Sequence, residues 1–176
     1  MKITRRWAMP SKNTFSIPPV RKLIEETMLF VNEGGICIDP FANNSDFNQR
    51  LDFTNDIDPD VDTTHHLDAL EFLQLFDTGS VDLVLFDPPY SPRQVSECYK
   101  SLGRSVNMQT TQSSFWGNIK KEISRVVRTG GHVVTCGWNS GGVGKSNGFI
   151  IEEVLLVAHG GWHNDTIVTK EIRTNS

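Results

Sequence analysis

The chain has little cysteine, little tyrosine and no long apolar run. Three cysteines, Cys37, Cys98 and Cys136, stand far apart in 176 residues. A scattered, odd-numbered set argues against a disulfide framework and against a cysteine-based zinc site. It points instead to reduced thiols in a cytoplasmic compartment. No apolar stretch approaches the roughly 20 residues of a membrane span. The basic N-terminal stretch is not followed by the apolar segment of a secretory signal. Internal repeats, low-complexity tracts and long linkers are absent as well. The composition is 38% hydrophobic and 22% charged, which suits one domain with one sizeable core.

An excess of positive charge is also missing, since the net charge is −4. The distribution is more informative than the sum. Residues 38–90 hold twelve of the 21 acids and one base, Arg50. The first 24 residues hold six bases and no acid, and residues 91–131 hold seven bases against Glu97 and Glu122. Two basic segments of this kind can meet on one face and hold phosphates, although a solvated surface gives the same pattern.

The apolar spacing predicts an α/β chain. Residues 1–18 read as irregular, punctuated by Pro10 and Pro18. A helix starts near Pro19, continues through Val20, Leu23, Ile24, Thr27, Met28 and Val31, and stops at Gly34-Gly35. Ile36-Cys37-Ile38 is a short buried strand ending at Asp39-Pro40, and residues 50–57 form a second strand. A short helix from Asp68 to Phe76 carries Ala69, Phe72, Leu73 and Phe76 on one side. The run Val81 to Phe86 suits a parallel strand covered on both faces. A helix over 112–128 ends at Gly130-Gly131, and a strand spans His132 to Cys136. Strands Glu152–Ala158 and Asp165–Ile172 form an antiparallel pair around Gly160-Gly161. The expected fold is a three-layer, Rossmann-like α/β domain spanning 1–176, with a mostly parallel sheet and an antiparallel C-terminal hairpin.

Ligands of such sheets bind beyond the carboxyl ends of the strands. Polar residues collect there. Asp39-Pro40-Phe41-Ala42-Asn43 follows the first strand and Asn55-Asp56 the second. Asp87-Pro88-Pro89-Tyr90 follows the third, and Trp138-Asn139 the fourth.

These residues resemble the amino-methyltransferases that modify adenine N6 or cytosine N4 in DNA, and are similar to the small phage and prophage adenine enzymes. The resemblance extends from about Trp7 to Ile172. It implies a seven-stranded methyltransferase fold, S-adenosyl-L-methionine as methyl donor, DNA as partner and a location in the cytoplasm of a bacterial or phage-infected cell. Asp87-Pro88-Pro89-Tyr90 matches the family's catalytic loop, in which aspartate is usual among adenine enzymes. Asp39, Pro40, Phe41, Ala42 and Asn43 match the cofactor loop, with Asn43 and Ser45 standing where glycines are usual. Asn43 suits the left-handed backbone such a loop requires. The resemblance further implies that Asp56 binds the ribose hydroxyls and that Asp68, with Ala69 beside it, reads the cofactor's adenine. Thr14 and Phe15 fall where the family's N-terminal motif contacts the methionine part.

The chemistry suits these residue types. An adenine amino nitrogen is a poor nucleophile because its lone pair is conjugated into the ring. Two acceptors on its hydrogens draw it towards tetrahedral geometry, and Asp87 and the Pro88 carbonyl supply them. Tyr90 offers a face to a base that has left the stack. Arg93, Lys100 and Arg104, in the polar stretch 91–114, are the expected target contacts, together with Trp138, Asn139 and Lys145. A reader this short suggests a short or lax site, or a homodimer that shares the task. Asn139 to Ser146 misses a phosphate-binding loop by its first glycine and precedes a strand rather than a helix. His65-His66 and His159/His163 lack completing ligands, so no metal is expected. Trp162 and His163 are expected to pack the hairpin. A non-catalytic nucleic-acid or partner-binding module, and enzymes acting on cytosine N4, RNA adenine or a protein amide, remain open alternatives.

Overall fold

The computed structural model describes residues 1–89 and 113–175. Its seven-stranded sheet comprises β1 (Lys2–Trp7), β2 (Ile36–Asp39), β3 (Phe53–Thr54), β4 (Val81–Phe86), β5 (Val127–Gly137), β6 (Phe149–Ala158) and β7 (Thr166–Arg173). The strand order is β1-β6-β7-β5-β4-β2-β3. Every neighbouring pair is parallel except β5–β7 and β6–β7. β7 is therefore the one reversed strand, and all others end on the same edge.

Helix α1 (Pro18–Met28) opens on two prolines, whose missing N–H groups would be unpaired in a first turn anyway. It buries Val20, Leu23, Ile24 and Thr27 on one sheet face, against Leu83, Leu85, Val134, Leu155 and Val157. Helices α2 (Ala69–Gln74) and α3 (Ser113–Val126) cover the other face. There Phe72, Leu73, Ile119 and Ile123 pack with Val84, Phe86 and Val133. All six residues of β4 are buried, so its apolar run, interrupted only by Asp82, which pairs with Arg128, reflects cover on both faces. Each fully buried aliphatic or aromatic side chain here contributes about 1.5–3 kcal/mol.

Several expectations need correcting. Residues 1–18 are not irregular throughout: Lys2–Trp7 pairs with β6 in parallel, and Thr14–Ser16 forms a 3-10 turn. Its pattern was hidden because β1 is an edge strand, largely exposed, with charged and apolar side chains mixed. The strand expected over 50–57 shortens to Phe53–Thr54, with one further bridge from Asn55 to His65. Helix α3 gives way to β5 at Val127, not at Gly130-Gly131. β5 there holds a register shift opposite Val81/Leu83, with Gly130 at φ 76°.

Candidate active site

Because β2, β4 and β5 are neighbours running the same way, the residues after them converge on one edge. Asp39 is the last residue of β2 and Asp87 follows the last residue of β4. Asp39 is fully buried. Its Oδ1 accepts the Phe41 N–H at 2.8 Å, and its Oδ2 has no hydrogen-bond partner among the described residues. Burial pushes the Asp39 carboxyl well above the usual carboxylate range. The Phe41 N–H opposes the shift, while the nearby Asp87 and Asp56 charges add to it. Cys136, near the end of β5, is held far above the usual thiol range by burial and by the same two carboxylates, Asp87 and Asp39. Asp87, Pro88 and Pro89 are half-buried.

The loop after β2 is built around one unusual backbone. Asn43 has φ 47°, the one non-glycine residue in the left-handed region among those described. Its side chain stabilises the turn by accepting the Asn44 N–H at 2.7 Å. Ser45 needs no such conformation. It is buried, and its Oγ accepts the Phe47 N–H at 3.2 Å. Asp56 sits against this loop, its carboxylate accepting the N–H groups of Asn43 (3.1 Å) and Asp58 (2.9 Å). Burial raises the Asp56 pKa, and those two N–H groups hold it down in part.

Asn55, placed by the sequence at a strand end with no role of its own, organises the site. Its buried amide donates to the carbonyls of Pro40 (3.2 Å) and Leu67 (3.0 Å) and accepts the Leu67 N–H at 2.9 Å, while its backbone carbonyl receives the Ala42 N–H. It thus ties the β2 loop to the start of α2. The only signal was an amide at the end of an apolar strand, where a buried polar group must be satisfied.

Asp68 is the N-cap of α2 and accepts the Leu70 N–H at 3.0 Å, with buried Ala69 beginning the helix. Phe41 packs its ring between Phe86 and Trp116, at 5.8 and 6.1 Å, and forms an apolar wall beside Asp39. Thr14 begins the 3-10 turn. Phe15 is buried edge-on against Phe47 at 6.1 Å, so its side chain serves the core. The same segment reaches the β2 loop through Asn13, whose amide donates to the Asn44 carbonyl at 3.0 Å.

Trp138 and Asn139 lie at the carboxyl edge beside Asp87. Lys145 lies at the opposite edge, in a turn just before β6. Its neighbour Asn147 is held by the Ser124 hydroxyl of α3 at 2.7 Å. The loop leading there is pinned by buried Glu171, which accepts the N–H groups of Val143 (2.7 Å) and Gly144 (2.9 Å). Burial raises the Glu171 pKa, and those bonds oppose the shift. Trp162 and His163 are exposed at the hairpin tip and do not pack it. The hairpin is closed instead by buried His159, bonded to the Ala8 carbonyl (2.9 Å) and Thr166 Oγ1 (2.8 Å). Tyr90, Arg93, Lys100 and Arg104 lie outside the described residues.

No family model matches the chain, and no curated protein matches it. Solved structures do. TrmN from Thermus thermophilus aligns over 89% of this chain and 49% of its own, with 15% identity and a TM-score of 0.55. The chain thus spans about half of TrmN. The fold is that of the methyltransferases. The N-methyltransferase NodS from Bradyrhizobium japonicum aligns over 90% of this chain and 98% of its own, at 11% identity and a TM-score of 0.55. The 1,6-didemethyltoxoflavin-N1-methyltransferase of Burkholderia thailandensis, solved with S-adenosylhomocysteine, aligns over 88% and 78%, at 10% identity and a TM-score of 0.57. In the methyltransferase fold of this chain, the Asp39 loop and the Asp87 loop end adjacent strands. No helix among the described residues is long and apolar enough to cross a membrane.

Proposed function

We propose that the chain is an S-adenosylmethionine-dependent methyltransferase acting on the adenine N6 amino group of DNA. The observation that carries this reading is the buried, half-satisfied Asp39 carboxyl at the end of β2, one strand from Asp87-Pro88-Pro89. An orphaned buried carboxylate oxygen calls for a cationic donor, and the ammonium of the methionine part is one. The residues present therefore fit the cofactor. Asp39 would accept from its ammonium, the Asn43 turn and Asp56 would hold the ribose, and Asp68 with Ala69 at the start of α2 would hold the adenine. When bound, the cofactor supplies an electrophilic methyl on a sulfonium.

The chain's own residues then do the positioning. The Asp87 carboxylate and the Pro88 carbonyl accept the two amino hydrogens of the target base, which frees the nitrogen lone pair. Two successive prolines fix φ and hold that carbonyl in place. The wall of Phe41, Phe86 and Trp116 beside the site is apolar, which strengthens every polar contact made against it. Tyr90, outside the described residues, would offer its ring to the base. Catalysis of this kind rests on orientation and fixed dipoles.

Asp87→Ala tests the assignment. Methyl transfer to adenine-containing DNA should fall by about 10²–10³ or more, the loss typical of one preorganised polar group. S-adenosylmethionine binding by calorimetry should persist. Retained wild-type turnover in the variant would remove Asp87 from the mechanism. Methylated product digested to nucleosides identifies the base.

A further inference from the structure

We propose that the carboxyl edge of the sheet carries a stacking track for unpaired nucleic acid, running from Asp87 out to β1 and built on Trp7 and Trp162. The proposal rests on the methyltransferase reading above for its direction along the edge, and names the form of substrate that site receives.

Three of the four tryptophans lie on this edge. Trp138 follows β5 and is 47% exposed, Trp162 sits in the β6–β7 turn at 103%, and Trp7 ends β1 at 66%. The fourth, Trp116, packs against Phe41. Tryptophan is largely buried on average, so a row of exposed indoles on one edge asks for a partner. The β6–β7 turn and the end of β1 meet directly: a Cβ built on Gly160 would lie 3.5 Å from the Trp7 indole nitrogen. The turn holds two consecutive left-handed residues, Gly160 (φ 70°) and Gly161 (φ 60°), and thereby projects Trp162 outward.

The charge along the track suits a phosphate backbone. Arg5 and Arg6 are exposed on β1, without an acidic partner among the described residues, and Lys12 is exposed further along the same edge. Lys2 is already paired with Glu153, and Asp165 is the acid on the hairpin turn. From Trp7 the chain crosses the edge towards the site. Ala8 bonds the Ala158 carbonyl, and Asn13 reaches Asn44 of the Asp39 loop.

Indole faces stack on base faces, and only an unpaired strand presents those faces. Four strand spacings separate β4 from β1. At about 4.8 Å each that is about 19 Å, the length of roughly five stacked nucleotides. The occupant is therefore a single-stranded segment flanking the target base.

Fluorescence anisotropy with labelled 12-mer oligodeoxynucleotides, single-stranded and duplex, tests this on the full chain. The wild type should prefer the single strand. Trp162→Ala should weaken single-strand binding about tenfold, and Trp7→Ala combined with Trp162→Ala about a hundredfold, with duplex binding little changed. Trp162→Phe should retain most of the affinity. Arg5→Ala should lower the salt slope by about one. Trp162 contacts no core, so its variant isolates stacking from folding. Unchanged single-strand affinity in Trp162→Ala overturns the proposal, as does tighter binding to duplex than to single strand. Binding to phosphatidylserine vesicles in place of either oligonucleotide would assign the patch to a membrane and also overturn it. If the tryptophans govern single-strand binding but no methylated base is found, the track stands and the catalytic reading fails.

Discussion

Asp39→Asn should stabilise the protein and at the same time abolish binding of S-adenosylmethionine. Asp39 is fully buried, and one of its carboxylate oxygens has no partner among the described residues. The substitution keeps the bond to the Phe41 N–H through the amide oxygen. It exchanges an orphaned charge beside Asp87 and Asp56 for an orphaned neutral amide. An unsatisfied buried polar group costs about 1–3 kcal/mol, and a charged one more. A gain of about 1–2 kcal/mol is expected, which raises Tm by about 2–8 °C in a chain of this size. The sign with pH follows from the raised folded-state pKa. The folded protein holds the Asp39 proton more tightly than the unfolded chain does, so this group favours folding at low pH and loses that contribution as pH rises. The advantage of Asp39→Asn should therefore shrink towards pH 5 and widen towards pH 8. Cofactor affinity runs the same way. A bound ammonium favours ionised Asp39, so wild-type affinity should climb with pH up to the raised pKa and then level. Differential scanning fluorimetry reads both effects. S-adenosylmethionine at a hundred times Kd should stabilise the wild type by about 2.7 kcal/mol, roughly 5–11 °C, and leave the variant unmoved. A variant less stable than wild type at pH 8 that still shifts with cofactor would refute the reasoning.

Other expectations follow from the loops around the site. Glu171→Ala leaves the buried N–H of Val143 and the half-buried N–H of Gly144 unpaired, and should lower unfolding free energy by about 2–3 kcal/mol in urea titration. Asn43→Val should lose about 1–2 kcal/mol because a β-branched residue resists a left-handed backbone, whereas Asn43→Gly should stay within a few tenths of wild type; equal losses would show that φ is not the reason for asparagine there. Burial and the charges of Asp52 and Asp82 push the Cys37 thiol up to about 12. A thiol reagent at pH 8 should leave Cys37 unmodified until denaturant is added, as judged by mass spectrometry of labelled peptides.

The fold was readable where burial imposes a period. The nearly continuous apolar run of β4 marks a strand covered on both faces, and the α1 spacing marks a helix with one dry face. β1 was not readable, because an edge strand open on both faces carries no alternation and its residues Lys2, Arg5 and Arg6 look like surface. The short β3 was overextended because its polar neighbours, buried Asn55 and half-buried Asp56, are held by hydrogen bonds that apolarity cannot signal. At the site, Asn43 takes the left-handed backbone that asparagine tolerates, and Asp39 ends β2 where the apolar run stops. Asp68 acts as a helix cap, a role every aspartate before a helix invites. Phe15 packs into the core. Lys145 looked close to the site only because sequence order hides the direction of travel: the chain leaves β5 at the carboxyl edge and must return to the amino edge before β6 can run parallel to it. Trp162 and His163 were expected to close the hairpin, but two left-handed glycines turn that tip outward and leave closure to His159.

The pairing of β1 with β6 has a consequence for how the chain is made. Lys2 meets Glu153 across 151 positions of sequence. At about 5–20 residues per second, β1 leaves the ribosome some 8–30 s before its partner exists. Its exposed Ile3 and Trp7 must wait unpaired through that interval, and loop closure over such a span is among the slowest steps of assembly. β1 should therefore dock last and detach first. Native-state hydrogen exchange would find its amides opening at a lower free energy than those of β4, so the edge that carries Trp7 is also the most easily unlatched part of the sheet.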